Sequence, residues 1–120
     1  MLATLNQVLS KAQKGGYAVG AFNINNLEIF QAIVQAAVKL KSPVILQTSE
    51  GAIAYAGMNY LCSMAIQAAR ENKIPIVLHL DHGRDLEIIK KAIRNGYTSI
   101  MIDGSHLEFE KNIALTKKVV

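Results

Sequence analysis

The sequence is poor in the features that mark secreted, membrane-spanning and nucleic-acid-binding proteins. Its single cysteine, Cys62, cannot form a disulfide within the chain and is most simply a buried helical thiol in a reducing compartment. No apolar run approaches the ~20 residues that span a bilayer. The 13 Lys and Arg residues form no block and are not interleaved with aromatic residues. We therefore expect a soluble, cytoplasmic protein that binds neither nucleic acid nor membranes.

The first segment, residues 1–16, also lacks acidic residues, as mitochondrial transit peptides do, but it contains no Arg and leads directly into a strand pattern. Leu2, Leu5, Val8 and Leu9 recur at helical spacing, and glycines follow at positions 15 and 16. We interpret this segment as a short amphipathic helix of the folded protein.

What the chain does have is a repeated alternation of apolar runs and amphipathic segments. The apolar runs predict buried strands at 18–23, 44–47, 76–80 and 99–102, and a helical pattern follows each of them. Asn25 and Glu28 have the spacing of a capping box at the start of the first of these helices. The units recur about every 25–30 residues, which is typical of βα units in a parallel sheet or barrel. Residues 1–120 therefore predict one α/β domain, or part of one.

Each predicted strand ends in polar residues. These are Asn23, Ser49, Asp81 with His82, and Asp103. The carboxyl ends of parallel strands lie on one edge of the sheet, so these side chains should converge although they are far apart in sequence. The pattern predicts a catalytic rim at that edge.

The richest of these ends is His79-Leu80-Asp81-His82. Strand alternation places His79 and Asp81 on one face, and His82 can turn toward the same rim. One histidine could then bind a metal while Asp81 handles a proton. A hydrogen-bonded structural cluster accounts for the same residues equally well.

The other strand ends have alternative explanations as well. Asp103 could bind a cation, but an Asx-turn that caps the loop is favoured by its spacing to Ser105. The segment 48–51 could bind phosphate through hydroxyl and backbone N–H groups, or it could be a simple turn. His106 lies outside a strand and is expected at the surface.

The last segment, residues 108–120, has a helical pattern but no C-capping signal, so the chain is expected to stop within an element. A closed barrel of parallel strands requires eight strands and ~250 residues. Four units would leave two hydrophobic sheet edges unpaired. The sequence alone thus predicts a fragment or a half-barrel.

Four strings in this order, AFNINN, SPVILQTSEGA, LHLDHG and SIMIDGSHLEFEKNI, resemble successive motifs of class II fructose-bisphosphate aldolases. The resemblance covers nearly the whole chain. It implies a (β/α)8 TIM barrel of which residues 1–120 form about the first four βα units. It also implies a lyase of glycolysis and gluconeogenesis that reversibly cleaves fructose 1,6-bisphosphate to dihydroxyacetone phosphate and glyceraldehyde 3-phosphate.

The resemblance also implies roles for individual residues. Asp81 corresponds to the acid/base that exchanges a proton with the C4 oxygen, and His82 to one of three histidines that hold the catalytic divalent ion, usually Zn²⁺. Ser49 is similar to a serine that contacts the glyceraldehyde phosphate portion, and Asn23 to an asparagine of the substrate pocket. Asp103 occupies the position associated with a second cation, divalent or monovalent. For His79 we expect a supporting role beside the metal ligand.

By the same resemblance, the remaining metal ligands and the ketose-phosphate loops would lie beyond Val120, so we expect this chain to be inactive alone. The full-length enzyme is expected to be a homo-oligomer, a dimer or a tetramer. Two alternatives stay open. One is a tagatose-bisphosphate aldolase, and the other is a non-catalytic half-barrel that buries its open edges by self-association and acts as an interaction module.

Overall fold

A computed structural model describes residues 2–120, which alternate between strands and helices. The strands are β1 (Ala21–Asn23), β2 (Val44–Thr48), β3 (Ile76–Gly83) and β4 (Ser99–Ile102). The helices are α1 (Leu5–Gly15), α2 (Leu27–Lys39), α3 (Glu50–Ala56), α4 (Met58–Glu71), α5 (Leu86–Arg94) and α6 (Phe109–Val119). Within residues 2–120, no helix is both long and apolar enough to cross a membrane.

The four strands form one parallel sheet in the order β1-β2-β3-β4. Phe22 lies beside Leu46 in the register of the sheet, and Leu46 lies beside Leu78. Sequential parallel neighbours require a crossover between each pair of strands, and helices supply these crossovers. The predicted α/β organisation of successive βα units is therefore confirmed.

The two faces of the sheet are covered differently. One face carries Leu46, Leu78 and Leu80, which are fully buried and belong to the main core together with residues of α2, α4 and α5. On the opposite face, Ile45 and Val77 pack with Val8 of α1 near the beginnings of their strands. Helix α1 thus covers only the amino-terminal part of this second face, and the part toward the strand ends is left for polar residues.

The start of α2 differs by one residue from the prediction. Ile24 is fully buried, and its N–H donates to the carbonyl of Gln47 at 2.9 Å, so the extended chain continues past β1. Asn26, not Asn25, then caps the helix, because its Oδ1 accepts a hydrogen bond from the N–H of Ile29 at 2.9 Å. The predicted capping box of Asn25 and Glu28 was wrong.

Replacing Asn26 with alanine should therefore destabilise the protein by about 1 kcal/mol, because an N-cap acceptor is lost. The same replacement at the exposed Asn25 should change stability by less than about 0.5 kcal/mol. Urea-induced unfolding of the two variants measures the difference. Equal losses at the two positions would contradict the cap assignment.

Two further boundaries differ from the sequence interpretation. The sequence predicts a buried strand at 18–23, but the observed strand β1 contains only Ala21–Asn23. All three residues are exposed, because β1 is at the edge of the sheet and pairs only with β2. The segment 48–51 is not a simple turn. Thr48 ends β2, the Oγ of Ser49 accepts from the N–H of Ala52 at 3.2 Å, and Glu50 begins α3.

A buried polar pair connects β2 with the segment before β4. The hydroxyls of Thr48 and Tyr97 are 2.8 Å apart, and Thr48 is fully buried. Burial raises the pKa of Tyr97 to about 12, an effect that the hydrogen bond with Thr48 partly opposes, so its hydroxyl stays neutral. Each hydroxyl therefore satisfies the other inside the core.

Tyr97→Phe or Thr48→Val alone should cost about 1–3 kcal/mol, because each leaves one buried hydroxyl without this partner. The double variant, which removes both hydroxyls, should lose less than the sum of the single losses. A urea-unfolding double-mutant cycle tests this expectation. Strict additivity would show that the hydrogen bond contributes nothing.

Candidate active site at the strand ends

One row of polar residues crosses the sheet near its carboxyl edge. The register pairs Asn23 with Gln47, Gln47 with His79, and His79 with Ser99, so each of the four strands contributes one residue. Because side chains alternate along a strand, Gln47 and His79 share the face of Ile45 and Val77, beyond the part that α1 covers. The predicted rim therefore lies on a polar surface.

Asp81 lies two residues beyond His79 on that face, and its side chain is 18% exposed. The Nε2 of Gln47 donates to Asp81 Oδ2 at 3.1 Å and also to Asn23 Oδ1 at 2.6 Å. The amide of Gln47 thus joins two residues that the sequence assigned to the site. Gln47 itself was missed, although strand alternation from Ile45 places it on the same face.

His82 follows Asp81 with a backbone φ of 52°, in the left-handed region that residues other than glycine seldom adopt. The pairing of β3 with β4 is irregular between Leu80 and Gly83, which gives room for this turn. The ring is 57% exposed, with its Nδ1 2.9 Å from Asp103 Oδ2 and its Nε2 3.8 Å from Asp81 Oδ1. The hydrogen bond to Asp103, followed by the charge of Asp81, raises the pKa of His82.

Asp103 is 6% exposed and accepts hydrogen bonds on both oxygens. Its Oδ1 accepts from the Ser105 hydroxyl at 2.6 Å and from the Ser105 backbone N–H at 3.1 Å, while Oδ2 faces His82. These hydrogen bonds hold the pKa of Asp103 well below its usual range. The bond from the Ser105 hydroxyl has the largest effect, and the bond with His82 has the next largest. The Asx-turn favoured by the sequence is confirmed, and the same carboxylate also orients His82.

His79 has a structural partner of its own. Its Nδ1 is 2.7 Å from the hydroxyl of Ser99, and the ring is partly buried. Burial lowers the pKa of His79, and the nearby Asp81 opposes this shift only in part, so the ring is neutral near pH 7. This geometry fits the alternative of a hydrogen-bonded structural residue for His79. Ser99 was missed by the sequence interpretation.

The remaining candidates lie at the ends of neighbouring strands. Asn23 is exposed at the end of β1, and Ser49 lies between β2 and α3. Glu50 Oε1 accepts from the backbone N–H of Arg84 at 2.7 Å, which ties the start of α3 to the loop after β3. This contact holds the residue after Ser49 next to the loop that follows Gly83. His106 is exposed, as predicted.

The capacity of this rim for a metal ion follows from its donor atoms. In a neutral His82 that donates its Nδ1–H to Asp103, the lone pair of Nε2 is available to a cation, and a carboxylate behind the ring is the usual partner of a metal-binding histidine. Among residues 2–120, however, no three His, Cys, Asp or Glu side chains are grouped to hold an ion. The described chain therefore suits one ligand of a metal site and not a complete site.

Comparison with known proteins identifies the family. The family model described as fructose-bisphosphate aldolase class-II matches residues 3–120. The chain belongs to the class II fructose-bisphosphate aldolase family. The resemblance based on the four motifs is therefore confirmed.

Individual members of the family are similar over nearly the whole chain. A fructose-bisphosphate aldolase of Thermus caldophilus is 52% identical over 120 residues, which are 100% of this chain and 39% of that protein. The one from Giardia intestinalis is 52% identical over 99% of this chain and 37% of its own length. The crystal structure of the YdjI aldolase from Escherichia coli K12 matches with a TM-score of 0.94 and 36% identity, over 100% of this chain and 46% of that one. The chain thus spans less than half the length of these class II aldolases, whose fold is a TIM barrel.

Proposed function

We propose that residues 1–120 form the N-terminal half of a TIM-barrel class II aldolase that reversibly cleaves fructose 1,6-bisphosphate to dihydroxyacetone phosphate and glyceraldehyde 3-phosphate. The observation that carries this proposal is the placement of Asp81 beside His82 at the end of β3. One oxygen of Asp81 accepts from Gln47, and the other lies 3.8 Å from His82 Nε2. This adjacency supports a base at Asp81 and a cation ligand at His82.

Asp81 is the residue for proton transfer in this proposal. Cleavage of the C3–C4 bond requires removal of the proton of the C4 hydroxyl, and condensation requires its return to the aldehyde oxygen. A carboxylate held at a strand end by a neutral donor can do both, because its position is fixed while its second oxygen stays accessible. The substrate would bind with its C4 hydroxyl within hydrogen-bonding distance of Asp81.

Class II aldolases are generally metal-dependent. We propose His82 Nε2 as one ligand of the catalytic Zn²⁺, with Asp103 fixing the ring through Nδ1. When bound, the ion would act as a Lewis acid that stabilises negative charge on the ketose oxygens during cleavage. Both oxygens of Asp103 are engaged by Ser105 and His82, which favours a positioning role for Asp103. Its assignment to a second cation site stays a prediction.

Ser49 and Asn23 flank this centre and are proposed to contact the substrate. Ser49 Oγ accepts from the N–H of Ala52, which leaves its hydroxyl hydrogen for a phosphate oxygen. Asn23 is exposed and lies on the side of Gln47 that faces away from Asp81. From there it can reach a substrate oxygen. The homo-oligomeric state and the cytoplasmic location stay predictions.

The test is an enzyme in which residues 1–120 replace the corresponding part of the Thermus caldophilus aldolase. This fusion, supplied with Zn²⁺, should cleave fructose 1,6-bisphosphate in an assay coupled to triose-phosphate detection. Tagatose 1,6-bisphosphate, assayed in parallel, shows whether the fusion also accepts the C4 epimer. A folded, zinc-loaded fusion that cleaves neither sugar would contradict the proposal and would favour the non-catalytic interaction module.

A further inference from the structure

We infer that Gln47 is a positioning residue that holds Asp81 in place and, through the same amide group, turns the N–H donors of Asn23 toward the substrate. The inference rests on the proposed function, because it assigns a partner to the proposed proton-transfer residue. It starts from the two hydrogen bonds that Gln47 Nε2 makes, at 3.1 Å to Asp81 Oδ2 and at 2.6 Å to Asn23 Oδ1.

The direction of the first hydrogen bond is fixed by chemistry. An ionised carboxylate, the form in which Asp81 acts as a base, has only acceptor atoms. Gln47 must therefore present its NH₂ group, and not its carbonyl oxygen, to Asp81. With the amide reversed, two oxygen atoms would face each other at hydrogen-bonding distance, so the orientation of this amide is decided by its network.

The second hydrogen bond follows from the first. A carboxamide nitrogen carries two hydrogens, and the one that Asp81 does not take points toward Asn23. Asn23 must then offer its Oδ1 to Gln47, which leaves its own NH₂ group on the other side. Since Asn23 is exposed at the end of β1, these two donors face the open side of the rim. The charge on Asp81 thus makes Asn23 a hydrogen-bond donor to a phosphate, hydroxyl or carbonyl oxygen of the ligand.

The backbone supports this arrangement. Asn23 and Gln47 are register partners in β1 and β2, and Gln47 is in turn the register partner of His79, two residues before Asp81. Asn23 and Gln47 are thus held at paired strand positions, and Asp81 directly follows Leu80, the last residue paired with β2. Groups on strands are held more accurately than groups on loops, so removal of the Gln47 amide should release the side chains and leave the backbone in place.

The test compares Gln47→Leu and Gln47→Glu in the zinc-loaded fusion enzyme. Leucine removes both donors, and we expect kcat for cleavage to fall about 10–100-fold, the cost of a small misplacement of a reacting group. Glutamate matches the shape of glutamine but places a carboxylate against Asp81 and an acceptor against Asn23, so its activity should be lower still. If Gln47 only filled space, glutamate would be tolerated as well as leucine or better.

A second readout separates positioning from general damage to the site. Exchange of the reacting C–H hydrogen of dihydroxyacetone phosphate with deuterium from the solvent does not involve the C4 oxygen. It should therefore persist in Gln47→Leu at a rate within about twofold of the parent, while cleavage falls. Gln67→Leu, a matched change at an exposed glutamine of α4 that bonds only along its own helix to Glu71, should leave both rates unchanged.

The outcomes distinguish the two proposals. An inactive parent fusion contradicts the proposed function, and the inference falls with it. If the parent is active and Asp81→Asn is not, the function stands. The inference is then overturned if Gln47→Leu keeps full kcat, if Gln47→Glu is as active as Gln47→Leu, or if exchange and cleavage fall together.

Discussion

Replacing Asp81 with asparagine is expected to lower kcat for aldol cleavage by about 10²–10⁴-fold, the usual contribution of a general acid or base. Asparagine keeps the shape of the side chain, and its Oδ1 can still accept the hydrogen bond from Gln47. What it cannot do is take the proton of the C4 hydroxyl. The measurement is steady-state cleavage of fructose 1,6-bisphosphate by the fusion enzyme, with zinc content determined on the same samples.

Asp85→Asn is the matched control for this prediction. Asp85 caps α5 through a hydrogen bond from the N–H of Glu87, and asparagine caps a helix about as well as aspartate does. Its replacement should leave kcat and zinc content unchanged. The proton-transfer assignment would be wrong if Asp81→Asn retained zinc and also kept more than about a tenth of the parental kcat.

Replacing His82 with alanine should weaken Zn²⁺ binding by at least about 100-fold, because removing a ligand should cost more than removing the group that orients it, which costs about 10–100-fold. Asp103→Asn tests the orienting contact and should fall within that smaller range. Titration of the apo-fusion with Zn²⁺ against a competing chelator measures both values. His106→Ala, at an exposed position in the loop after β4, is the control.

The pattern of losses discriminates between ligand and structural roles. If Zn²⁺ bound equally well to the parent and to His82→Ala, His82 would not be a ligand. If Asp103→Asn weakened Zn²⁺ binding as much as His82→Ala does, Asp103 would itself be a ligand, and not the residue that orients the ring at 2.9 Å.

Much of the fold was predictable because its signals are local. Apolar strand bodies, helical stripes and polar strand ends lie within short windows, and they correctly predicted the four strands, the parallel sheet and a helix after each strand, but not the additional helix α3. The errors occurred where neighbours decide the structure. The exposure of β1 depends on which strand lies beside it, and the cap at Asn26 depends on the hydrogen bond that extends the chain to Ile24.

The site was predictable to the extent that it lies at strand ends. The register brings Asp81, His82 and Asp103 together as expected. Strand alternation gives the face on which Gln47 lies, but the partners of Gln47 and Ser99 could not be assigned from the chain alone, because they come from neighbouring strands. Asp103 makes two kinds of contact, and only one of them was predictable. Its Asx-turn with Ser105 is local in sequence, whereas its hydrogen bond with His82 joins the ends of two strands.

We propose that this chain carries the proton-transfer residue and one metal ligand of a site that other residues complete. The most direct measurement is a zinc-supplemented cleavage assay of residues 1–120 alone and mixed with a separately prepared C-terminal part of the Thermus caldophilus aldolase. We predict no cleavage by either part alone and cleavage by the mixture, which Asp81→Asn abolishes. Cleavage by residues 1–120 alone would show that these residues form a complete catalytic site, contrary to this proposal.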